Sequence, residues 1–270
     1  MISVALFGFG LVLGSFFNVC IDRVPKGNSV VRPPSHCDAC GHLLAWRDLI
    51  PVISYLLLRG RCRYCGACVS WRVPAVEVAT GLLFAGLGLV VGWSASLIPA
   101  LVYSSLFLVV LVIDLETQTI PNRLILPAIP LVWLLSTMWP PTDASRSMLS
   151  VLPGPLVSNG LVMALLQSLA GGLVAFLIML LPFLLYPEGM GGGDVKLAAV
   201  VGLATGFPLS LLALFISFLG GGIIGGALLL SGAKGRKDPI PFGPFLSVAA
   251  VVALIWGDEL AGWYWHSLTY

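Results

Sequence analysis

The chain has 270 residues, of which 58% are hydrophobic and only 10% are charged. A soluble domain carries about 25% charged residues, so this composition excludes an ordinary water-soluble globular protein and predicts a protein embedded in a lipid bilayer. The formal net charge of +2 indicates no particular partner, and we expect no nucleic acid among the partners.

Eight apolar segments follow one another along the chain. A helix needs roughly 20 residues to cross a bilayer, and the fourth, sixth and eighth segments are shorter, which favours tilting, local thinning or burial inside a bundle. We therefore predict an all-α polytopic membrane protein with about eight transmembrane helices. The segments are Ile2 to Val19, Pro74 to Gly92, Ala95 to Ile113, Leu124 to Met138, Leu161 to Tyr186, Val195 to Thr205, Leu209 to Leu230 and Phe245 to Trp256.

The basic residues are distributed unevenly between the two sides of such a bundle. With eight spans, 13 of the 14 lysines and arginines lie on the side that holds residues 20–73, and only Arg146 lies on the other. The positive-inside rule makes the first side cytoplasmic. The 13 residues are Arg23, Lys26, Arg32, Arg47, Arg59, Arg61, Arg63, Arg72, Arg123, Lys196, Lys234, Arg236 and Lys237.

The first loop, residues 21–73, separates a first transmembrane helix (residues 1–20) from the remaining apolar core (residues 74–270). It contains two CxxC pairs separated by 21 residues, a spacing typical of a zinc ribbon. Four thiolates at that spacing can surround one Zn²⁺ ion, and a metal would stabilise a segment too small for its own hydrophobic core. We predict a structural zinc site in a small cytoplasmic zinc-ribbon-like domain, with free reduced thiols as the alternative. The cysteines are Cys37, Cys40, Cys62 and Cys65.

Two histidines flank the first pair, and two further cysteines lie nearby. His36 or His42 could replace a cysteine ligand, although solvated loop histidines are the simpler interpretation. Cys68 is interpreted as a spare thiol, and Cys20, at the end of the first span, as a packing residue.

Two aspartates lie where an apolar segment meets a polar one. Asp114 follows an apolar run and precedes Thr117, Thr119 and Pro121, and Asp194 follows three glycines and opens the next segment. A carboxylate beside hydrocarbon indicates a functional site. Each acid alone is compatible with a helix-end charge or a helix cap. Together on the cytoplasmic face they favour an acid/base pair, because two close carboxylates share one proton and divide the roles of acid and base, as in aspartic proteases.

Neighbouring residues support this hypothesis. Gly191 and Gly193 carry no side chain, so a polypeptide substrate could approach the backbone closely, and Lys196 could tune the charge of Asp194. Glu77, a further acid in an apolar segment, could pair with a base or bind a ligand, and its spacing leaves both open.

Several segments resemble the type IV prepilin peptidases, the bacterial leader peptidase/N-methyltransferases, a family of GxGD intramembrane aspartyl proteases. The resemblance covers nearly the whole chain. Its motifs are DLETQTIPN at Asp114, GMGGGDVKL at Asp194, GSFFNVCIDRVP from Gly14, RPPSHC from Arg32 with the second cysteine pair, WRVPAVE from Trp71, and PIPFGPFL from Pro239.

The resemblance implies an inner-membrane enzyme that cleaves the leader of type IV prepilins or pseudopilins at the cytoplasmic face and then N-methylates the new terminus with S-adenosylmethionine. By motif, Asp114 and Asp194 would be catalytic, Gly60 would be linked to methylation, and the cysteine loop would belong with the methyltransferase. The sequence contains no GxGxxG element in a strand–helix setting, so a Rossmann-type cofactor site is not expected. The substrate would come from a type IV pilus, a type II secretion system or a competence apparatus, and the sequence leaves this choice open.

Two alternatives stay open. One is an intramembrane aspartyl protease of another substrate class, against which the cysteine loop argues. The other is a non-enzymatic scaffold or transporter with a zinc-binding docking loop, in which the polar intramembrane residues would be ion ligands.

Overall fold

A computed structural model describes residues 2–139, 160–186, 190–233, 235 and 240–268. Helices account for the regular structure of these residues, and the cysteine loop adds two isolated bridges, between His36 and Leu43 and between Arg61 and Cys68. Arg146, Lys234, Arg236 and Lys237 of the charge pattern, and Pro239 of the last motif, lie outside the described residues.

The prediction of an all-α polytopic protein is confirmed. The helices are α1 (Ile2–Arg23), α2 (Ile53–Leu57), α3 (Arg72–Val90), α4 (Leu97–Thr117), α5 (Asn122–Leu135, continued by a 3₁₀ turn at Ser136–Met138), α6 (Gly160–Leu185), α7 (Gly192–Thr205), α8 (Leu209–Leu230) and α9 (Gly243–Leu268), with a 3₁₀ turn at Trp46–Asp48 before α2.

Six helices in the described ranges are long and apolar enough to cross a membrane: α1, α3, α4, α6, α8 and α9 as far as Trp263. The fourth and sixth predicted segments form α5 and α7, which are shorter. The eighth segment was expected to be short, but α9 extends well beyond Trp256. Asp258 and Glu259 interrupt the apolar pattern there, whereas the helical backbone continues through them.

The first of two compact units covers Met1–Leu97 and is built on the packing of α1 against α3. Glycines make the close crossing possible, since a Cβ atom on Gly10 or Gly14 would lie 2.7 Å from the backbone of α3. The side-chain amide of Asn18 stabilises the same crossing by donating to the carbonyl of Val73 at 3.0 Å. The predicted division put nearly all of α3 with residues 74–270, whereas in the structure α3 packs against α1 in the first unit.

The second unit covers Ile98–Tyr270 and has α7 at its centre. This helix packs against α5, α6, α8 and α9, and its apolar side chains, including Leu197 and Val200, are fully buried. Gly171 of α6 and Gly202 of α7 meet backbone to backbone, where a Cβ atom would have no room. Because α7 lies among other helices, it does not need the length of a lipid-exposed span.

Candidate active site and metal centre

The two CxxC pairs of the first unit fold into matching turns. The N–H of Gly41 donates to the carbonyl of Cys37 at 2.8 Å, and the N–H of Gly66 donates to the carbonyl of Cys62 at 2.9 Å. The φ angles of these glycines are +70° and +73°. Since other residues adopt this conformation only with strain, each turn depends on a glycine directly after its second cysteine.

These turns bring four thiols together. The Sγ atoms of Cys37, Cys40, Cys62 and Cys65 all lie within 4.8 Å of one another, and those of Cys37 and Cys65 are 3.8 Å apart. Hydrogen bonds from the backbone N–H groups of Cys40 and Ala39 lower the pKa of Cys37 to about 7. Because the four Sγ atoms lie this close together, the cluster could hold one metal ion, which cysteine binds as the thiolate.

The other candidate ligands lie apart from this cluster in the described part of the loop. His42 stacks on the ring of Tyr64 with a centroid separation of 3.7 Å, and a ring nitrogen of His36 lies 3.0 Å from the carbonyl of Pro34. Cys68 is exposed, and Cys20 is half-buried in α1. The structure therefore groups the four CxxC cysteines and leaves these four residues outside.

Gly60 occupies a tight turn just before the second pair. Its φ angle is +69°, and a Cβ atom on it would lie 3.0 Å from the hydroxyl of Tyr55. Its carbonyl accepts a hydrogen bond from the N–H of Val69 at 2.8 Å, which joins the two ends of the turn that holds the second CxxC pair. Gly60 therefore shapes the cysteine loop by allowing this close approach.

Asp114 is placed in the last turn of α4. The helix ends directly afterwards, at Gln118 with a φ of +51°, and Pro121 precedes the first residue of α5. The Asp114 side chain is only 4% exposed, and its Oδ2 atom accepts the N–H of Gly243 at 3.0 Å. Gly243 begins α9, so the carboxylate lies at the positive end of that helix's dipole.

Asp194 lies in the first turn of α7 and outside the six candidate spans. Burial and, second to it, the negative charge of Asp114 raise the pKa of Asp194 to about 7. A hydrogen bond from the N–H of Gly191 acts in the opposite direction. The two carboxylates therefore interact electrostatically in one site, and their surroundings differ.

The structure gives Gly193 and Lys196 partners that the sequence did not indicate. A Cβ atom on Gly193 would lie 2.9 Å from the Cβ atom of Ile120, so this glycine allows the segment after α4 to approach α7. The Nζ atom of Lys196 donates to the side-chain oxygen of Asn122 at 2.8 Å. Both contacts join the segment around Asp114 to the segment around Asp194.

Gly243 is a neighbour of Asp114 that sequence reasoning missed. A Cβ atom there would lie 2.6 Å from Oδ2 of Asp114, so only glycine fits against the carboxylate. Its position in the PIPFGPFL motif was a signal, but the motif gave no partner for it. The turns at Gly41 and Gly66 could be predicted from the sequence, since each glycine directly follows a CxxC pair.

The fold and the site define a multi-pass membrane protein with a four-cysteine loop and two interacting carboxylates. Two family models match the chain in the same order: the bacterial peptidase A24 N-terminal domain over residues 9–91, and the type IV leader peptidase family over residues 101–226. The chain belongs to the type IV leader peptidase family, as its sequence resemblance indicated.

Similar curated proteins support this membership. The chain is 34% identical to the prepilin leader peptidase/N-methyltransferase of Bacillus subtilis, covering 98% of both proteins. It is 34% identical to the protein of that name from Aeromonas hydrophila, covering 96% of this chain and 92% of the relative. For the Pseudomonas aeruginosa protein of that name the identity is 32%, over 94% and 90%. No solved structure gives a significant match.

Proposed function

We propose that this protein removes the leader of type IV prepilins or pseudopilins and then N-methylates the new N-terminal residue. The observation that carries the peptidase half is the contact between the segments that hold Asp114 and Asp194, where Gly193 lies against Ile120 and Lys196 donates to Asn122, in a chain of this family. The relatives, matched along nearly their whole length, carry both activities in their names.

The two carboxylates take different roles in this proposal. Asp114 accepts a backbone N–H at the start of α9, whereas Asp194, with a pKa raised to about 7, is the carboxyl that can carry a proton near neutral pH. Asp114 accepts a proton from water as the oxygen attacks the scissile carbonyl. Asp194 donates its proton, which reaches the leaving amine as the C–N bond breaks.

Single conservative variants test the peptidase assignment. Asp114→Asn and Asp194→Asn should each abolish cleavage of a purified prepilin by the full chain in lipid vesicles, because each variant removes one of the two proton transfers. Lys196→Gln, which changes the charge beside the site, should retain cleavage. Full cleavage by either Asn variant, with membrane insertion intact, would refute the assignment.

We assign the metal of the cysteine loop as structural Zn²⁺. A tetrahedral ion with Zn–S bonds of about 2.3 Å requires Sγ atoms about 3.8 Å apart, and the separation of Cys37 and Cys65 is 3.8 Å. Four thiolates close the coordination shell, which is typical of a structural site rather than a catalytic one. Residues 21–73, as the methyltransferase-associated domain, would depend on this ion for their fold.

The methyl donor in this proposal is S-adenosylmethionine, a sulfonium cation that supplies the methyl group accepted by the new terminal amine. Acceptor oxygens of the first unit fit a cation. Glu77 is 4% exposed, and its carboxylate is held by neutral donors, the N–H of Val52 and the hydroxyl of Ser15. Asn18 is also buried, and its side-chain oxygen has no hydrogen-bond partner among the described residues. Glu77 and Asn18 would hold the positive end of this donor.

In this proposal the cysteine loop, Asp114 and Asp194 face the cytoplasmic side of the bacterial inner membrane. The excess of basic residues on the side that holds residues 20–73 supports this orientation. A cleavage assay on right-side-out and inverted vesicles tests this orientation, because an added prepilin reaches the carboxylates from one side only.

Two other functions remain distinguishable. A protease of another substrate class would cleave unrelated membrane peptides but transfer no methyl group, and a scaffold or transporter would show neither reaction. Mass spectrometry of a prepilin incubated with the enzyme and the methyl donor separates all three outcomes.

A further inference from the structure

The short helix α2 in the cysteine loop turns an apolar face outward. Ile53, Leu56 and Leu57 have the i, i+3, i+4 spacing that places side chains on one helical face. They are 55%, 67% and 77% exposed. The opposite face carries Tyr55, whose hydroxyl donates at 3.5 Å to the carbonyl of Val69, just after the second CxxC pair. The loop therefore holds α2 by one side and leaves three large apolar side chains uncovered.

The depth of α2 follows from its contact with a spanning helix. The N–H of Val52, the residue before α2, donates to Oε2 of Glu77 at 2.7 Å. Helix α3 has 19 residues and is therefore about 28 Å long, close to the roughly 30 Å of bilayer hydrocarbon. Glu77 comes five residues after Arg72, which is about 7.5 Å inward from that end. The start of α2 thus lies level with the first turns of a membrane span.

The residues around α2 are those found at membrane interfaces. Trp71, directly before α3, is 76% exposed, and Trp46 is 79% exposed. Tryptophan concentrates at the boundary between headgroups and acyl chains. Arg59 and Arg61, just after α2, are exposed and carry the charge that anionic phosphates attract.

We propose that α2 is an interfacial anchor seated in the bilayer leaflet at the Arg72 end of α3. Ile53, Leu56 and Leu57 insert among the acyl chains, and Arg59 and Arg61 bind the phosphates of anionic phospholipids. Two observations identify lipid as what contacts this face. The contact with Glu77 sets α2 at the level of a span, where an apolar face meets lipid rather than water, and the neighbouring arginines suit anionic phosphates. The anchor holds the cysteine loop against the membrane surface.

Photolabelling of the full chain tests this anchor. The protein is reconstituted in vesicles of phosphatidylethanolamine and phosphatidylglycerol that contain a phospholipid with a diazirine in its acyl chain, and labelled residues are mapped by mass spectrometry. Labelling of residues 53–57, alongside the spans of α1 and α3, is expected. Labelled spans with unlabelled residues 53–57 would overturn the proposal, whether water, a second copy or another protein covers the face.

Matched variants separate insertion from general exposure. Leu56→Ser with Leu57→Ser should lower labelling of residues 53–57 at least about tenfold, because tenfold corresponds to only about 1.4 kcal/mol and one buried leucine contributes more. Leu43→Ser, which changes another exposed loop leucine, should leave this labelling unchanged.

Labelling should also fall when phosphatidylglycerol is omitted, and Arg59→Gln with Arg61→Gln should remove that dependence. Labelling that none of these changes affects would contradict the proposal, and prepilin cleavage plays no part in the readout.

Discussion

Replacing Gly243 with alanine should disable prepilin cleavage without unfolding the protein. The added Cβ atom would lie 2.6 Å from Oδ2 of Asp114, whereas ordinary contact begins near 3.4 Å. The carboxylate must therefore move by about 0.8 Å or lose the N–H bond from Gly243, and a displacement of about 1 Å can lower a catalytic rate on the order of a hundredfold. We expect a reduction of that size in kcat, equivalent to about 2.7 kcal/mol of activation free energy.

The assay follows cleavage of a purified prepilin by the full chain in vesicles, together with the thermal unfolding midpoint. Gly243 is the first residue of α9 and does not have a positive φ angle, so alanine can adopt its backbone conformation and any loss of activity should not come with a weaker α9. Gly262→Ala is the matched control, because it lies in the same helix and a Cβ atom there meets nothing within 4 Å. Cleavage by Gly243→Ala within about threefold of the parent rate would refute the reasoning, since threefold is well below the effect of such a displacement.

Four further predictions concern the two activities. Cleavage should fall as pH rises through about 7, because the pKa of Asp194 is raised to about 7 and the acid must be protonated to donate; a rate–pH profile unchanged from pH 6 to 9 would contradict this. Cys37→Ser should lose bound zinc and methyl transfer but retain leader cleavage, and a metal-free variant with normal methylation would exclude zinc as a requirement. Gly60→Ala should lower methyl transfer, whereas Gly92→Ala, with a similar φ but nothing within 4 Å of its Cβ atom, should not; equal losses would point to backbone strain alone. Glu77→Gln should weaken binding of S-adenosylmethionine in calorimetry while zinc content stays constant, and unchanged affinity would remove Glu77 from the donor site.

The helices and the four-cysteine cluster were predictable because their signals are local. Uninterrupted apolar runs mark the membrane helices, and the CxxC spacing brings four thiols within reach of one ion. The least accurate boundary was that of α9, where Asp258 and Glu259 ended the apolar pattern before the helix ended.

The roles of single residues beside the acids were harder to predict. The sequence favoured Gly193 as space for a substrate and Lys196 as a charge beside Asp194, but the structure packs Gly193 on Ile120 and bonds Lys196 to Asn122. Composition and spacing indicate what a residue is able to do, whereas its partner depends on which helices become neighbours.

The class of protein, the family, the two acids and the cysteine loop can be recognised in the sequence, because each is marked by residue types at short spacing. The difference between the two acids depends on the packing of the helices. Asp114 is bonded to Gly243, 129 residues further along the chain, while Asp194 is half-buried at the start of α7 beside the charge of Asp114. Such contacts arise when helices distant in sequence pack together, and no local pattern encodes them.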